Sequence, residues 1–211
     1  MEYRDLLFKK SNLEFNDSIS TYNGWGAQQN PHAFEVFFNF IKEVKPARII
    51  EIGTALGGFT MFLNYCCKEL YLQTKIHTFD ILDRHAYKEL TQAGIDVHIE
   101  NIFEKDFLEI PMEYVELIQN PGVTLVLCDG GDKIREFNLL STYLKPGDFI
   151  LAHDYAIDRT DFEERVNKQL WNWFEIQESD IAQACVDNNL IDFKREEFNK
   201  GVWVCKVKTN E

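Results

Sequence analysis

Four short segments carry residues that could do chemistry together. Asp129-Gly130-Gly131-Asp132-Lys133 follows the apolar run Val123–Cys128, and His153-Asp154-Tyr155 follows Phe149–Ala152. If those runs are neighbouring strands, Asp129, His153 and Asp154 converge on one rim. Two carboxylates and an imidazole, completed by water, are a donor set for a divalent cation. The same residues could equally be two helix-capping aspartates beside a hydrogen-bonded histidine. The third segment is Glu51-Ile52-Gly53-Thr54-Ala55-Leu56-Gly57-Gly58, a glycine-rich turn that would let a ligand approach the backbone closely. Its spacing is not GxGxxG, and Glu51 would repel a pyrophosphate; a cationic or hydroxyl-bearing ligand suits it better. The fourth is Thr78-Phe79-Asp80, which ends 29 positions after Glu51. An acidic residue at the end of the second strand of a nucleotide-binding α/β unit takes the ribose hydroxyls.

The remaining titratable and aromatic residues read as structural. His77 and His98 alternate with apolar strand residues, and His32 and His85 lie in solvated first helical turns. Lys42, Lys45 and Arg48 read as surface charges, and Trp171, Trp173 and Phe174 as core or interface. The five cysteines are an odd number without a CxxC pair, so no disulfide framework or cysteine zinc site is expected. They suit a reduced, cytoplasmic setting.

The chain that must position these residues is 211 long, enough for one domain with its own core. With Lys+Arg 22 against Asp+Glu 35, its net charge is −13, which disfavours nucleic acid or an anionic membrane as partner. No apolar run approaches the length needed to span a bilayer, and Met1–Lys10 lacks the apolar centre of a signal peptide. Residues 1–29 read as an N-terminal strap or lid, and 30–211 as the core of a single domain. Asn30-Pro31 opens a helix with apolar face Phe34, Phe37, Phe38, Ile41 and Val44, which Lys45-Pro46 stops. Strands are expected at Arg48–Ile52, Lys75–Asp80, Asp96–Glu100, Val123–Cys128 and Phe149–Ala152. Helices are expected near Gly57–Leu70, Arg84–Ala93, Met112–Gln119, Lys133–Leu144, Asp161–Trp171 and Ser179–Asn188. Ile191–Arg195 and Val202–Val207 then pair as a hairpin through the short loop Phe198–Gly201. Strand–helix alternation of this kind demands an α/β, doubly wound, Rossmann-like and mostly parallel seven-stranded sheet with an antiparallel C-terminal hairpin strand.

Ile49–Gly58 with Asp80 resembles the cofactor motif of class I S-adenosylmethionine-dependent methyltransferases. Trp25-Gly26, Gln28-Gln29-Asn30-Pro31, Lys45-Pro46, Ile50-Glu51-Ile52-Gly53-Thr54 and Gly57-Gly58 together resemble the cephalosporin-hydroxylase-like family. That family is similar to macrocin-type sugar O-methyltransferases and, more distantly, to catechol O-methyltransferase. The resemblance implies a class I methyltransferase fold and S-adenosylmethionine lying along Glu51, Gly53, Thr54, Gly57 and Gly58, with Asp80 on its ribose and Asp129 beside it. It implies Mg2+ or another divalent metal at Asp129, His153 and Asp154, where His153 replaces an acidic or amide ligand. It places Lys133 one residue beyond the general base of catechol O-methyltransferase, so His153 and Lys133 are the candidate bases. The segment Trp25–Gln29 would border the mouth of the site. The implied activity is O-methylation of a small-molecule or sugar hydroxyl, in a chain able to form a homo-oligomer. Two alternatives stand beside it: a cofactor-binding or scaffold protein that has lost catalysis, and a nicotinamide-dependent oxidoreductase, which the missing GxGxxG disfavours.

Overall fold

The computed structural model describes residues 20–84 and 87–210. The first nineteen residues of the expected strap, and His85, lie outside the described residues. In chain order the elements are β1 (Thr21–Tyr22), β2 (Trp25–Gly26), α1 (Pro31–Val44), β3 (Arg48–Ile52), α2 (Gly58–Glu69), β4 (Lys75–Asp80), α3 (Tyr87–Gln92) and β5 (Asp96–Ile99). There follow α4 (Met112–Gln119), β6 (Thr124–Cys128), α5 (Lys133–Leu140), β7 (Phe149–Ala152), β8 (Tyr155–Ala156), β9 (Ile176–Gln177), α6 (Glu178–Asp187), β10 (Leu190–Asp192), α7 (Arg195–Lys200) and β11 (Val204–Lys208).

Seven strands form one sheet in the order β10-β11-β7-β6-β3-β4-β5. The pairs among β7, β6, β3, β4 and β5 are parallel, while β11 runs antiparallel to both β7 and β10. The chain winds one way from β3 through β4 to β5, then crosses back to β6 and β7. The switch point therefore lies between β3 and β6, where ligands bind beyond the carboxyl ends of an open sheet. Register fixes that rim: Ile52 pairs with both Phe79 and Cys128, and Cys128 pairs with Ala152. Gly53, Asp80, Asp129 and His153 consequently emerge side by side.

The two faces of the sheet are covered by separate apolar layers, as a parallel sheet requires. One layer is aromatic and draws on α1, α2 and α7: Phe34, Phe37, Phe40, Phe59, Phe62, Phe198 and Trp203. The other joins Ile118, Phe137, Leu140 and Ile181 from α4, α5 and α6. In α1 the Asn30 side chain accepts the His32 N–H at 2.8 Å, the expected N-cap. Phe40 takes the buried place expected of Phe38 and Val44, which are half-buried.

Three expectations need correction. Only the first half of Asp161–Trp171 is helical: a short α-helix at Arg159–Asp161 continues as a π-helix over Phe162–Val166 and stops. Side-chain bonds claim the rest, since Asn30 holds the Leu170 carbonyl at 2.5 Å and the Trp171 indole N–H reaches Asp154 at 2.5 Å. The closing hairpin has no short loop; α7 fills the connection because Phe198 packs between Phe37 and Phe40. Arg48 is buried, and its guanidinium donates to the carbonyls of Asn120 (2.8 Å) and Pro121 (2.7 Å) and to Thr124 Oγ1 (2.8 Å). His77 and His98 are structural as expected, 3.3 Å apart between β4 and β5.

Candidate active site

The glycine turn is built by the fold before any ligand is considered. Gly53 has φ +94°, and a Cβ there would lie 2.2 Å from the Asp129 carbonyl oxygen. The close backbone approach that the sequence suggested is thus made by the chain itself: the ends of β3 and β6 touch. Likewise a Cβ on Gly58 would meet the Trp25 and Gly26 carbonyls at 2.5 Å, so the β1–β2 hairpin lies against the turn. Gly57, at φ +76°, is the N-cap of α2.

Two carboxylates fix the turn. Asp80 accepts the Ala55 N–H at 2.9 Å through one oxygen and the Leu82 N–H at 3.0 Å through the other. Glu51 is buried, and its Oε2 accepts from Thr60 and Thr78 Oγ1, each at 2.6 Å. Thr54 shares a 2.6 Å hydroxyl contact with Thr78. Burial raises the Glu51 pKa to about 7 against the opposing pull of the two threonine bonds.

The second centre gathers Asp129, His153, Asp154 and Lys133. His153 Nδ1 lies 3.0 Å from Asp129 Oδ1 and 3.5 Å from Asp154 Oδ1. Asp129 Oδ2 accepts from Gln29 Nε2 at 2.7 Å, and Gln29 Oε1 of the same side-chain amide accepts the Trp203 indole N–H at 2.8 Å. Lys133 Nζ lies 2.9 Å from Asp154 Oδ2 and 2.8 Å from Glu175 Oε2, and donates to the Gly130 carbonyl at 2.9 Å. Burial lowers the Lys133 pKa, but Asp129 and Asp154 outweigh it and hold the group above its ordinary value. An ammonium with every hydrogen donated has no lone pair, so Lys133 is a cation here and not the expected base. For His153, burial opposes the charged form, and the Asp129 and Asp154 charges outweigh it, so its pKa is raised. The imidazole stacks on Trp203, with centroids 4.9 Å apart, and its Nε2 is buried without a hydrogen-bond partner. That nitrogen has either a lone pair or a proton to offer.

Both centres open on the same space. A cavity of about 190 Å³ is lined by Glu51, Gly53, Asp129, Lys133, His153 and Asp154, with Trp171, Trp173 and Glu175 also on its wall. A groove of about 530 Å³ shares Gly53, Ala55 and Asp129 with it and runs along Asp80 to Phe103. Together they fall within the range of cofactor sites. All the expected site residues sit at this rim, although Gly57 and Gly58 act through the turn and helix start. Sequence reasoning missed Gln29 as a partner of Asp129, and Glu175 altogether. Gln29 stood in the motif that carried the family resemblance, which was its one signal; Glu175 had none. Trp171, read as core, is buried and also binds Asp154.

Among known proteins, ribosomal RNA small subunit methyltransferase G of Borrelia duttonii (strain Ly) is 24% identical over 143 residues, 67% of this chain and 62% of that protein. The match thus spans less than two thirds of that relative's length. An apo structure of CmcI aligns over 90% of this chain and 76% of its own at 14% identity, with a TM-score of 0.61. A CmcI structure described as Mg-SAM aligns over 89% and 76% at 16% identity, with a TM-score of 0.55. These likenesses bear out the doubly wound fold with its antiparallel C-terminal strands. The profile of the family described as rhamnosyl O-methyltransferase/CmcI matches residues 17–175. The chain has the class I methyltransferase fold and belongs to the rhamnosyl O-methyltransferase/CmcI family.

Proposed function

We propose that the protein transfers a methyl group from S-adenosylmethionine to a hydroxyl oxygen of a small molecule or sugar, with a divalent cation at Asp129, His153 and Asp154. One observation carries this reading: the glycine turn and the carboxylate–imidazole cluster line one cavity, so a cofactor on the first would face an acceptor on the second. S-adenosylmethionine, when bound, supplies an electrophilic sulfonium methyl. Asp80, with its carboxylate at the groove, is placed for the ribose hydroxyls. Glu51 is placed for the cationic amino-acid end. Trp171 and the half-exposed Trp173 wall the cavity on the acceptor side, and a flat or ring-shaped acceptor would stack there. Holding the acceptor oxygen in line with the methyl supplies much of the rate.

The residues present fit a divalent ion. Asp129, His153 and Asp154 each offer a donor atom within 4.8 Å of the others, His153 through Nδ1, which lies 3.0 Å from Asp129 and 3.5 Å from Asp154. A cation there would lower the pKa of the acceptor hydroxyl and orient it. An imidazole in place of an oxygen ligand favours manganese, iron or zinc over magnesium. Without metal, a neutral His153 would be the candidate to take the acceptor proton. The net charge of −13 supports a small-molecule acceptor over nucleic acid. Among the described residues no helix is long and apolar enough to cross a membrane.

The test is methyl transfer to a panel of sugar and aromatic hydroxyls, with ribosomal RNA alongside. Activity should fall on chelation, return with manganese, and fall in Asp129→Ala and Asp154→Ala. Full activity in excess chelator would remove the metal and leave His153 as a metal-free base. Transfer to RNA alone would sink the small-molecule acceptor.

A further inference from the structure

Lys133 stands where local structure does not favour it. It is the first residue of α5, and the free N–H groups of a helix start repel a cation. Three carboxylates hold it there instead. Its side chain is 5% exposed, with Nζ 2.9 Å from Asp154, 2.8 Å from Glu175 and 3.8 Å from Asp129. The Gly130 carbonyl takes the remaining hydrogen. Two of those carboxylates, Asp129 and Asp154, are the same ones that with His153 offer ligands to a divalent ion.

An ammonium and a divalent ion cannot both sit against Asp154 without strong repulsion, because buried charges a few ångströms apart are poorly screened. The surroundings provide a way out. Glu175 is 43% exposed at the cavity rim, whereas Asp154 is 8% exposed and pinned by Trp171. The Glu175 side chain can move outward with the ammonium still attached, and Asp154 cannot.

We propose that the Lys133 ammonium is a resident counter-cation at Asp154 and Asp129, and that a divalent ion enters by displacing it onto Glu175 and the Gly130 carbonyl. This rests on the metal reading given above. The two aspartates would then be partly neutralised by Lys133 without metal and by the ion with it, so divalent occupancy follows the free metal concentration rather than being permanent. Lys133 is accordingly a positioning residue that sets metal affinity. A lysine serving only as a structural ion pair would behave oppositely, since its loss would loosen Asp154 and weaken the site.

The experiment measures Mn2+ binding to the full chain by electron paramagnetic resonance and calorimetry, with circular dichroism to confirm folding. Lys133→Met should bind Mn2+ at least about tenfold more tightly than the unsubstituted protein, a change of the size that metal-site neighbours produce. Lys133→Arg, which keeps the charge, should not tighten. Glu175→Gln removes the displaced seat from an exposed position and should weaken binding, and less so when combined with Lys133→Met. Equal or weaker binding in a folded Lys133→Met protein overturns the inference and leaves the metal reading standing. If Lys133→Met does not fold, unchanged or tighter binding in Glu175→Gln overturns it. Absence of Mn2+ binding in every folded variant overturns the inference and the metal reading together.

Discussion

Glu51 should make cofactor binding depend on pH. Its carboxyl is buried beneath the glycine turn, and burial raises its pKa from 4.5 to about 7. A carboxylate whose folded pKa lies above its unfolded value binds its proton more tightly in the folded chain. Stability is therefore highest below pH 4.5, falls as pH rises towards 7, and is flat above that. At 1.36 kcal/mol per pKa unit, ionised Glu51 costs the folded state about 3 kcal/mol at pH 8. A cofactor with a cationic amino-acid end would select the ionised form. At pH 6 roughly one Glu51 in ten is ionised, so the Kd should be roughly tenfold weaker than at pH 8. Glu51→Gln cannot ionise; it should bind weakly with little pH dependence and be stabilised by about 3 kcal/mol at pH 8 but not at pH 5. Calorimetric titration with S-adenosylhomocysteine from pH 6 to 8, and urea unfolding of both proteins, measure the two effects. A Kd that is constant over that range, or one whose slope survives in Glu51→Gln, would refute the placement of Glu51 against the cofactor.

Asp80→Ala should weaken cofactor binding by about 1.5–3 kcal/mol through loss of a charged hydrogen bond to ribose, and unchanged calorimetric affinity would remove Asp80 from the site. Gly53→Ala should destabilise the fold by about 3 kcal/mol or more, since its Cβ would lie 2.2 Å from the Asp129 carbonyl; a urea midpoint matching the unsubstituted protein would contradict that packing. Arg48→Met should cost about 2–4 kcal/mol by stranding the carbonyls after α4, and a loss below 0.5 kcal/mol would return Arg48 to the surface role its sequence suggested. In hydrogen exchange, the Ala27 and Gln29 amides should be protected without cofactor, because Ser20 already accepts both; fast exchange that slows only on cofactor addition would show a lid instead of a strap.

What the sequence determined by itself is the framework. Strands β3, β4 and β7 keep the bounds expected from the sequence, and β6 and β7 are the mostly apolar stretches that strands buried on both faces need. With the strands placed, parallel register carries Glu51, Asp80, Asp129, His153 and Asp154 to one rim, so the candidate site residues were legible from spacing. Tertiary structure decided which partners those residues have. Lys133 looked like a base and is a cation, because Asp129, Asp154 and Glu175, the last 42 positions away, outweigh its burial. Asp129 is oriented by Gln29, 100 positions earlier, and Gln29 in turn by Trp203, 174 positions later. The segment before Trp171 was read as helix, and Asn30 and Asp154 bind its backbone and indole in another shape. Hydrophobic periodicity records which face of an element is buried. A hydrogen bond between side chains a hundred residues apart leaves no period in the sequence, and the pKa of a buried group depends on neighbours that only the fold brings together.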